Sequence, residues 1–135
     1  MYVVARVKTH IVVVVDDDRR VRESIQSMVE SAGHATFAFA TGEQFLRSDT
    51  LAKAGCLITD VRMPGIDGIE LQRRVRVARP QLPVVFISAH EDGDVRQRAL
   101  DGGAVTFLYK PFDASELLRV VERALIERRY DRGDR

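Results

Sequence analysis

Residues 11–18 read IVVVVDDD, and this stretch decides the fold. Its apolar part is β-branched throughout, with no alternating polar residue, which is typical of a strand buried on both faces of a parallel sheet. The acidic part follows without a gap. The stretch therefore predicts an α/β fold whose first strand ends in a group of carboxylates.

Four further apolar runs lie at residues 35–39, 56–59, 84–87 and 104–108. The segments between and after them carry apolar residues at helical spacing, which predicts a helix after each strand. The first helix ends at Gly33, the second runs from Thr41 or Gly42 through Leu51, the third is capped by Asp67 and ended by Pro80, the fourth runs from Asp92 to Gly102, and the fifth begins near Asp113 or Ser115.

The predicted order is (βα)5, a flavodoxin-like, doubly wound parallel sheet with strand order 2-1-3-4-5. We expect one domain over residues 10–127, an N-terminal extension at 1–9 and a charged C-terminal tail at 128–135. Sheets of this kind bind ligands at the carboxyl ends of their strands, near the point where the strand order reverses.

Composition narrows the class of protein. Apolar residues make up 45% of the 135 residues and charged residues 30%, which is ordinary for a globular domain. The formal net charge of +1 gives no electrostatic reason to expect a nucleic acid or a membrane as partner. No apolar stretch approaches the ~20 residues of a membrane-spanning helix. Cys56 is the single cysteine, so we expect no intrachain disulfide and a cytoplasmic location.

Five polar residues end or follow the predicted strands: Asp16 and Asp17 the first, Asp60 the third, Ser88 the fourth and Lys110 the fifth. Taken singly, each has an ordinary explanation, such as a helix cap for an aspartate or a surface position for a lysine. Parallel strands bring all of them to one edge of the sheet, and this shared place favours a functional site.

The chemistry of that edge points to phosphoryl transfer. Three carboxylates in one place repel one another, and a hard cation such as Mg²⁺, which binds oxygen ligands, relieves the repulsion. Lys110 adds a positive charge and Ser88 a hydroxyl donor. An aspartate among these groups is suited to act as a nucleophile toward phosphorus.

The sequence also resembles a known family. VVDDD at 14–18, LITDVRMPGIDG at 57–68, VVFISAH at 84–90 and FLYKPF at 107–112 resemble, in order and spacing, the signatures of receiver domains of bacterial two-component response regulators. The resemblance covers about residues 10–127, and it is closest to FixJ-type receivers.

This resemblance implies a role for each position near the acidic edge. Asp60 would be the phosphoacceptor. Mg²⁺ would be bound by Asp60, by Asp17, by Asp16 directly or through water, and by the backbone carbonyl of Arg62. Lys110 would bridge to a phosphoryl oxygen, and its bond to Pro111 would be cis.

Further residues would tune and transmit the signal. Ser88 would hold the phosphoryl group and couple it to the fold, and Phe107 would be the aromatic switch residue, turning inward on phosphorylation. Arg62 and His90 match the two variable positions that set how long the phosphoryl group lasts.

The implied function is a phosphorylation-controlled switch, not an enzyme in the usual sense, although the domain would assist its own phosphorylation and dephosphorylation. Its partner would be a sensor histidine kinase or a phosphotransfer protein. The face formed by the fourth helix, fifth strand and fifth helix would change and control an output, and a homodimer through this face is one expected form of the phosphorylated protein. We expect no binding of nucleic acid by this chain alone.

Two other interpretations stay open at this point. A haloacid-dehalogenase-like phosphatase also uses an aspartate with magnesium, and Asp16 and Asp18 have the spacing of its strand-1 motif. A degenerate receiver that binds partners without being phosphorylated is the second.

Overall fold

The computed structural model describes residues 10–133, with side chains as far as Ile126. Its five strands are all parallel and form one sheet in the order β2-β1-β3-β4-β5. The strands are β1 (Ile11–Val15), β2 (Ala35–Phe39), β3 (Cys56–Asp60), β4 (Val84–Ser88) and β5 (Thr106–Tyr109). The predicted fold class and strand order are confirmed.

Helices fill each connection between strands and follow the last one: α1 (Arg19–Ser31), α2 (Gly42–Leu46), α3 (Thr50–Lys53), α4 (Gly68–Ala78), α5 (Gly93–Asp101) and α6 (Ala114–Gly133). The predicted continuous second helix through Leu51 is wrong, because two short helices occupy that segment. Ser48 explains the break. Its hydroxyl donates to the Phe45 carbonyl oxygen at 2.8 Å and accepts from the Thr50 N–H at 3.2 Å, so a side chain replaces the helical hydrogen bonds there.

The fifth strand begins two residues later than residue 104, the predicted start. Gly103 has φ +99°, and the Ala104 N–H still donates to the Ala99 carbonyl oxygen of α5 at 3.0 Å. Ala104 therefore belongs to the end of the helix, where a left-handed glycine satisfies the last carbonyl groups.

The core lies on both faces of the sheet, as the β-branched first strand predicts. Val13 and Val15 pack on one face with Leu57 and Phe86, while Val12 and Val14 pack on the other face under α1 and α6. A strand enclosed in this way is rigid, and its carboxyl end is a fixed platform for the residues that follow it.

The predicted boundaries of the domain stay predictions. Residues 1–9, the predicted N-terminal extension, lie outside the described part of the chain, and the backbone of α6 continues to Gly133, into the predicted tail. Within the described residues, none of the helices is both long and apolar enough to cross a membrane.

Candidate functional site

The three predicted carboxylates meet at the carboxyl edge of the sheet. Asp16 follows β1 directly and Asp60 is the last residue of β3, and these two strands are neighbours, with Val15 paired to Thr59. Each of the three residues, Asp16, Asp17 and Asp60, has a carboxylate oxygen that lies within 4.8 Å of the oxygens of the other two. The sheet therefore assembles residues that stand more than forty positions apart in the sequence.

Asp16 is fully buried and has two partners. Its Oδ1 accepts a hydrogen bond from the Asp18 N–H at 2.9 Å, and its Oδ2 lies 3.3 Å from Lys110 Nζ. Burial raises the pKa of Asp16, and the charge of Asp60 adds to the rise, while the Asp18 N–H and Lys110 oppose it. The pocket thus holds excess negative charge that Lys110 compensates in part.

Lys110 lies between two of the carboxylates. Its Nζ is 3.3 Å from Asp16 Oδ2 and 3.5 Å from Asp60 Oδ2. The Lys110 N–H donates to the Ser88 carbonyl oxygen at 2.7 Å, which continues the pairing of β5 with β4 and brings the side chain to the site. The Lys110–Pro111 peptide bond is cis, as predicted.

Asp60 is held by the backbone that follows it. Its Oδ1 accepts from the Val61 N–H at 2.7 Å, which leaves Oδ2 toward Lys110. Gly68 packs so closely that a Cβ there would lie 2.2 Å from the Asp60 carbonyl oxygen, so only glycine fits. Asp67 accepts from the Glu70 N–H at 2.8 Å, which confirms its predicted role as the cap of α4.

Ser88 ends β4 and is buried. Its hydroxyl accepts from the His90 N–H at 3.0 Å and donates to the His90 carbonyl oxygen at 3.1 Å. The donor is therefore engaged with the loop that leads to α5, and it must leave the His90 carbonyl before it can bind another oxygen.

The two predicted tuning residues lie on the loops beside the site. The Arg62 side chain is 60% exposed, and its Nη2 lies 3.8 Å from Oδ2 of Asp92, the cap of α5. His90 is exposed on the loop after β4. An exposed ion pair at this distance contributes little to stability, which leaves Arg62 free to change partners.

Phe107, the predicted switch residue, is buried. It is 6% exposed, and its ring stacks on the Phe86 ring with centroids 5.9 Å apart. The centroid of the Tyr109 ring lies 5.3 Å from that of Phe107. The ring is therefore buried in the structure without a phosphoryl group on Asp60. A movement of this ring on phosphorylation stays a prediction.

Two neighbours of the site were not identified in the sequence. Arg22 donates to the Asp16 carbonyl oxygen at 2.8 Å, and Glu43 accepts from the Ile66 N–H at 3.2 Å. Both are ordinary charged residues at helical positions, and no local pattern distinguishes them from surface residues.

The donor set fits a hard divalent cation. Asp16, Asp17 and Asp60 form the one group of three or more metal-ligating side chains within ligand distance among the side chains that the structure describes. All three offer carboxylate oxygens, the ligands that Mg²⁺ prefers. Asp18, by contrast, accepts from the N–H groups of Arg20 and Val21 and caps α1, which weighs against the phosphatase interpretation.

Comparisons with known proteins show which sequences and folds this chain is similar to. The response regulator receiver domain family matches residues 12–122. The response regulator protein TodT of Pseudomonas putida and the transcriptional regulatory protein FixJ of Bradyrhizobium diazoefficiens are each 37% identical over 118 residues, which cover 87% of this chain and 52% and 57% of those proteins. The chain thus spans about half the length of these curated relatives.

A solved structure described as the beryllofluoride-activated NtrC4 receiver domain dimer superimposes with a TM-score of 0.81 at 26% identity. The match covers 87% of this chain and 98% of that one.

Proposed function

The chain belongs to the response regulator receiver domain family of two-component signalling, and we propose that it is a switch that accepts a phosphoryl group on Asp60. One observation carries the proposal: Asp60 Oδ2 lies 3.5 Å from Lys110 Nζ, at the edge where Asp16 and Asp17 are gathered. Members of this family are signalling domains. A switch of this kind does not need the acid–base groups of an ordinary hydrolase.

In the proposed reaction, a carboxylate oxygen of Asp60 attacks phosphorus and the bond from phosphorus to the donor breaks, which forms an acyl phosphate. The donor leaves with the electron pair of that bond. As the phosphoryl group arrives, Lys110 exchanges its contact with Asp60 for a contact with a phosphoryl oxygen. The positive charge of Lys110 thus stays beside the negative charge of the transferred group.

Mg²⁺ would be held here by Asp17, Asp60 and the Arg62 carbonyl, with Asp16 binding directly or through water. When bound, it neutralises charge on the phosphoryl oxygens. Arg62 and His90 lie on the loops from which water would approach, and we propose that their bulk sets the rate of hydrolysis by hindering in-line attack.

Ser88 would transmit the change. A phosphoryl oxygen on Asp60 offers its hydroxyl a charged acceptor in place of the His90 carbonyl, and a charged acceptor gives the stronger hydrogen bond. The loop after β4 then moves with Ser88, and α5 with it. We propose that the surface of α5, β5 and α6 changes in consequence.

A sensor histidine kinase or a phosphotransfer protein is the proposed donor, in the cytoplasm. A homodimer through the α5–β5–α6 surface is the proposed form of the phosphorylated protein, supported by the solved receiver relative that is described as a dimer. The activity of any longer protein that contains this domain would come from another part, and this chain alone is proposed not to bind nucleic acid.

Acetyl phosphate with Mg²⁺ tests the proposal, with p-nitrophenyl phosphate as the contrasting substrate. The switch predicts uptake of one phosphoryl group that is later lost, and no turnover of the second compound. Rapid multiple turnover of p-nitrophenyl phosphate would support the phosphatase instead. No uptake from acetyl phosphate would support the degenerate receiver.

A further inference from the structure

The middle of the loop behind Asp60 is held by a side chain from another helix. This loop, residues 61–67, joins β3 to α4 and is hereafter the acceptor loop. At its far end the Gly68 N–H donates to the Val61 carbonyl oxygen at 2.7 Å. Inside the loop that this bond closes, Glu43 of α2 contacts the backbone. Its Oε2 accepts from the Ile66 N–H at 3.2 Å, across 23 positions of sequence.

The same carboxylate also packs against the loop backbone. Gly65 has φ +77°, and a Cβ added there would lie 2.5 Å from Glu43 Oε2. Beside it, Ile66 packs on Gly42, where an added Cβ would meet the Ile66 side chain at 3.0 Å. Each glycine therefore leaves room for a side chain of the other segment: Gly65 for the Glu43 carboxylate and Gly42 for the Ile66 side chain.

Within the described part of the chain, the Glu43 carboxylate forms no ion pair. Among the described side chains, as far as Ile126, none of the cationic groups lies within 4.0 Å of its oxygens in a salt bridge. The backbone N–H of Ile66 is its hydrogen-bond donor there. A charged acceptor makes this bond stronger than a neutral one and concentrates the restraint on one point of the loop.

We propose that Glu43 is a positioning residue for phosphoryl transfer: it fixes the acceptor loop, and through the loop the place of the Arg62 carbonyl beside Asp60. The part that concerns the Arg62 carbonyl rests on the proposed function, since that carbonyl matters only as a metal ligand. Glu43 itself touches neither the metal nor the phosphoryl group in this role.

Glu43→Ala removes the acceptor and tests the proposal with two readouts. In the metal-free protein, hydrogen exchange at the Ile66 amide should speed up. The Mg²⁺ concentration at which half of the protein has bound Mg²⁺ should rise by roughly threefold to tenfold. This change in affinity corresponds to a fraction of the free energy that one charge-assisted hydrogen bond contributes. Phosphorylation by acetyl phosphate should slow at low Mg²⁺ and recover at saturating Mg²⁺, because the loop can still be ordered by the metal.

Two variants serve as controls. Glu43→Gln keeps an acceptor oxygen of the same reach and should retain both the Ile66 protection and most of the Mg²⁺ affinity. Gln44→Ala changes the next residue of α2, whose exposed side-chain oxygen accepts from the Ala40 N–H, and should alter neither readout. If Glu43→Ala does not fold, Glu43→Asp, one methylene shorter, takes its place with the same expected losses.

Mg²⁺ affinity in Glu43→Ala equal to that of the wild type would overturn the proposal, and so would equal losses in Gln44→Ala, which would indicate a general loosening of α2. Failure of the proposed function looks different: the wild type itself would neither bind Mg²⁺ nor take up phosphoryl. The role of Glu43 toward the Arg62 carbonyl would then fall too, while Ile66 exchange would still decide whether Glu43 holds the loop.

Discussion

Replacing Lys110 by methionine removes the charge that compensates two carboxylates while it keeps most of the side-chain stem. At 3.3 Å from Asp16 and an effective dielectric constant of about 20, the Coulomb attraction is about 5 kcal/mol, and desolvation of the ions cancels most of it. Breaking a buried pair by removing one partner costs about 3–5 kcal/mol. Because the Lys110 side chain is 22% exposed and water screens part of the effect, we expect the variant to lose about 2–3 kcal/mol of metal-free stability near neutral pH.

The loss of stability of Lys110→Met relative to the wild type should become smaller as the pH falls. Burial raises the pKa of Asp16 above its ordinary value of 3.8, and Lys110 holds that rise back, so the pKa of Asp16 rises further in the variant. A carboxyl with a raised pKa costs the folded state stability above that pKa and nothing once it is protonated in both states. The deficit of Lys110→Met should therefore shrink as the pH falls through the raised pKa of Asp16 toward 3.8.

Urea unfolding in the presence of a chelator, repeated over a pH series, measures this deficit. Lys53→Met is the matched control, since Lys53 is exposed on α3, and it should change stability by less than about 0.5 kcal/mol at every pH. A deficit for Lys110→Met that stays constant or grows as the pH falls would refute the reasoning, as would a variant as stable as the wild type.

Three further predictions concern the metal, the thiol and the switch. Asp17→Ala should lose Mg²⁺ binding yet stay folded, with metal-free stability no lower than that of the wild type, because the lost carboxylate repels Asp16 and Asp60; a Mg²⁺ titration that matches the wild type would place the metal elsewhere. Burial raises the pKa of the Cys56 thiol to about 12, so a thiol reagent should modify Cys56 only on unfolding, and rapid labelling of the native protein at neutral pH would contradict this. Ser88→Ala should still accept phosphoryl but show a weaker change in hydrogen exchange across the α5–β5–α6 surface when beryllofluoride is added; an undiminished response would rule out Ser88 as the link.

Those parts of the fold that depend on periodicity were predictable from the sequence. The β-branched run at residues 12–15 has no polar residue to face solvent, so it had to be buried on both sides, and a parallel sheet follows. Given that sheet, Asp16, Asp60 and Lys110 had to meet at one edge. The topology alone, therefore, predicted the centre of the site.

What was not predictable depends on single side-chain hydrogen bonds. Nothing in the residues around Ser48 shows that its hydroxyl would bond the Phe45 carbonyl and divide the second helix. Glu43 meets Ile66 only because the fold brings α2 beside the acceptor loop, and the sequence carries no local sign of that contact. The present partner of the Ser88 hydroxyl, the His90 carbonyl, depends likewise on the conformation of one loop.

The identity of the phosphoacceptor is the central claim, and intact mass spectrometry of wild type and Asp60→Asn after treatment with acetyl phosphate and Mg²⁺ tests it most directly. We expect the mass of one phosphoryl group on the wild type and none on Asp60→Asn, with circular dichroism showing that both proteins are folded. Equal phosphorylation of the two proteins would show that Asp60 is not the acceptor.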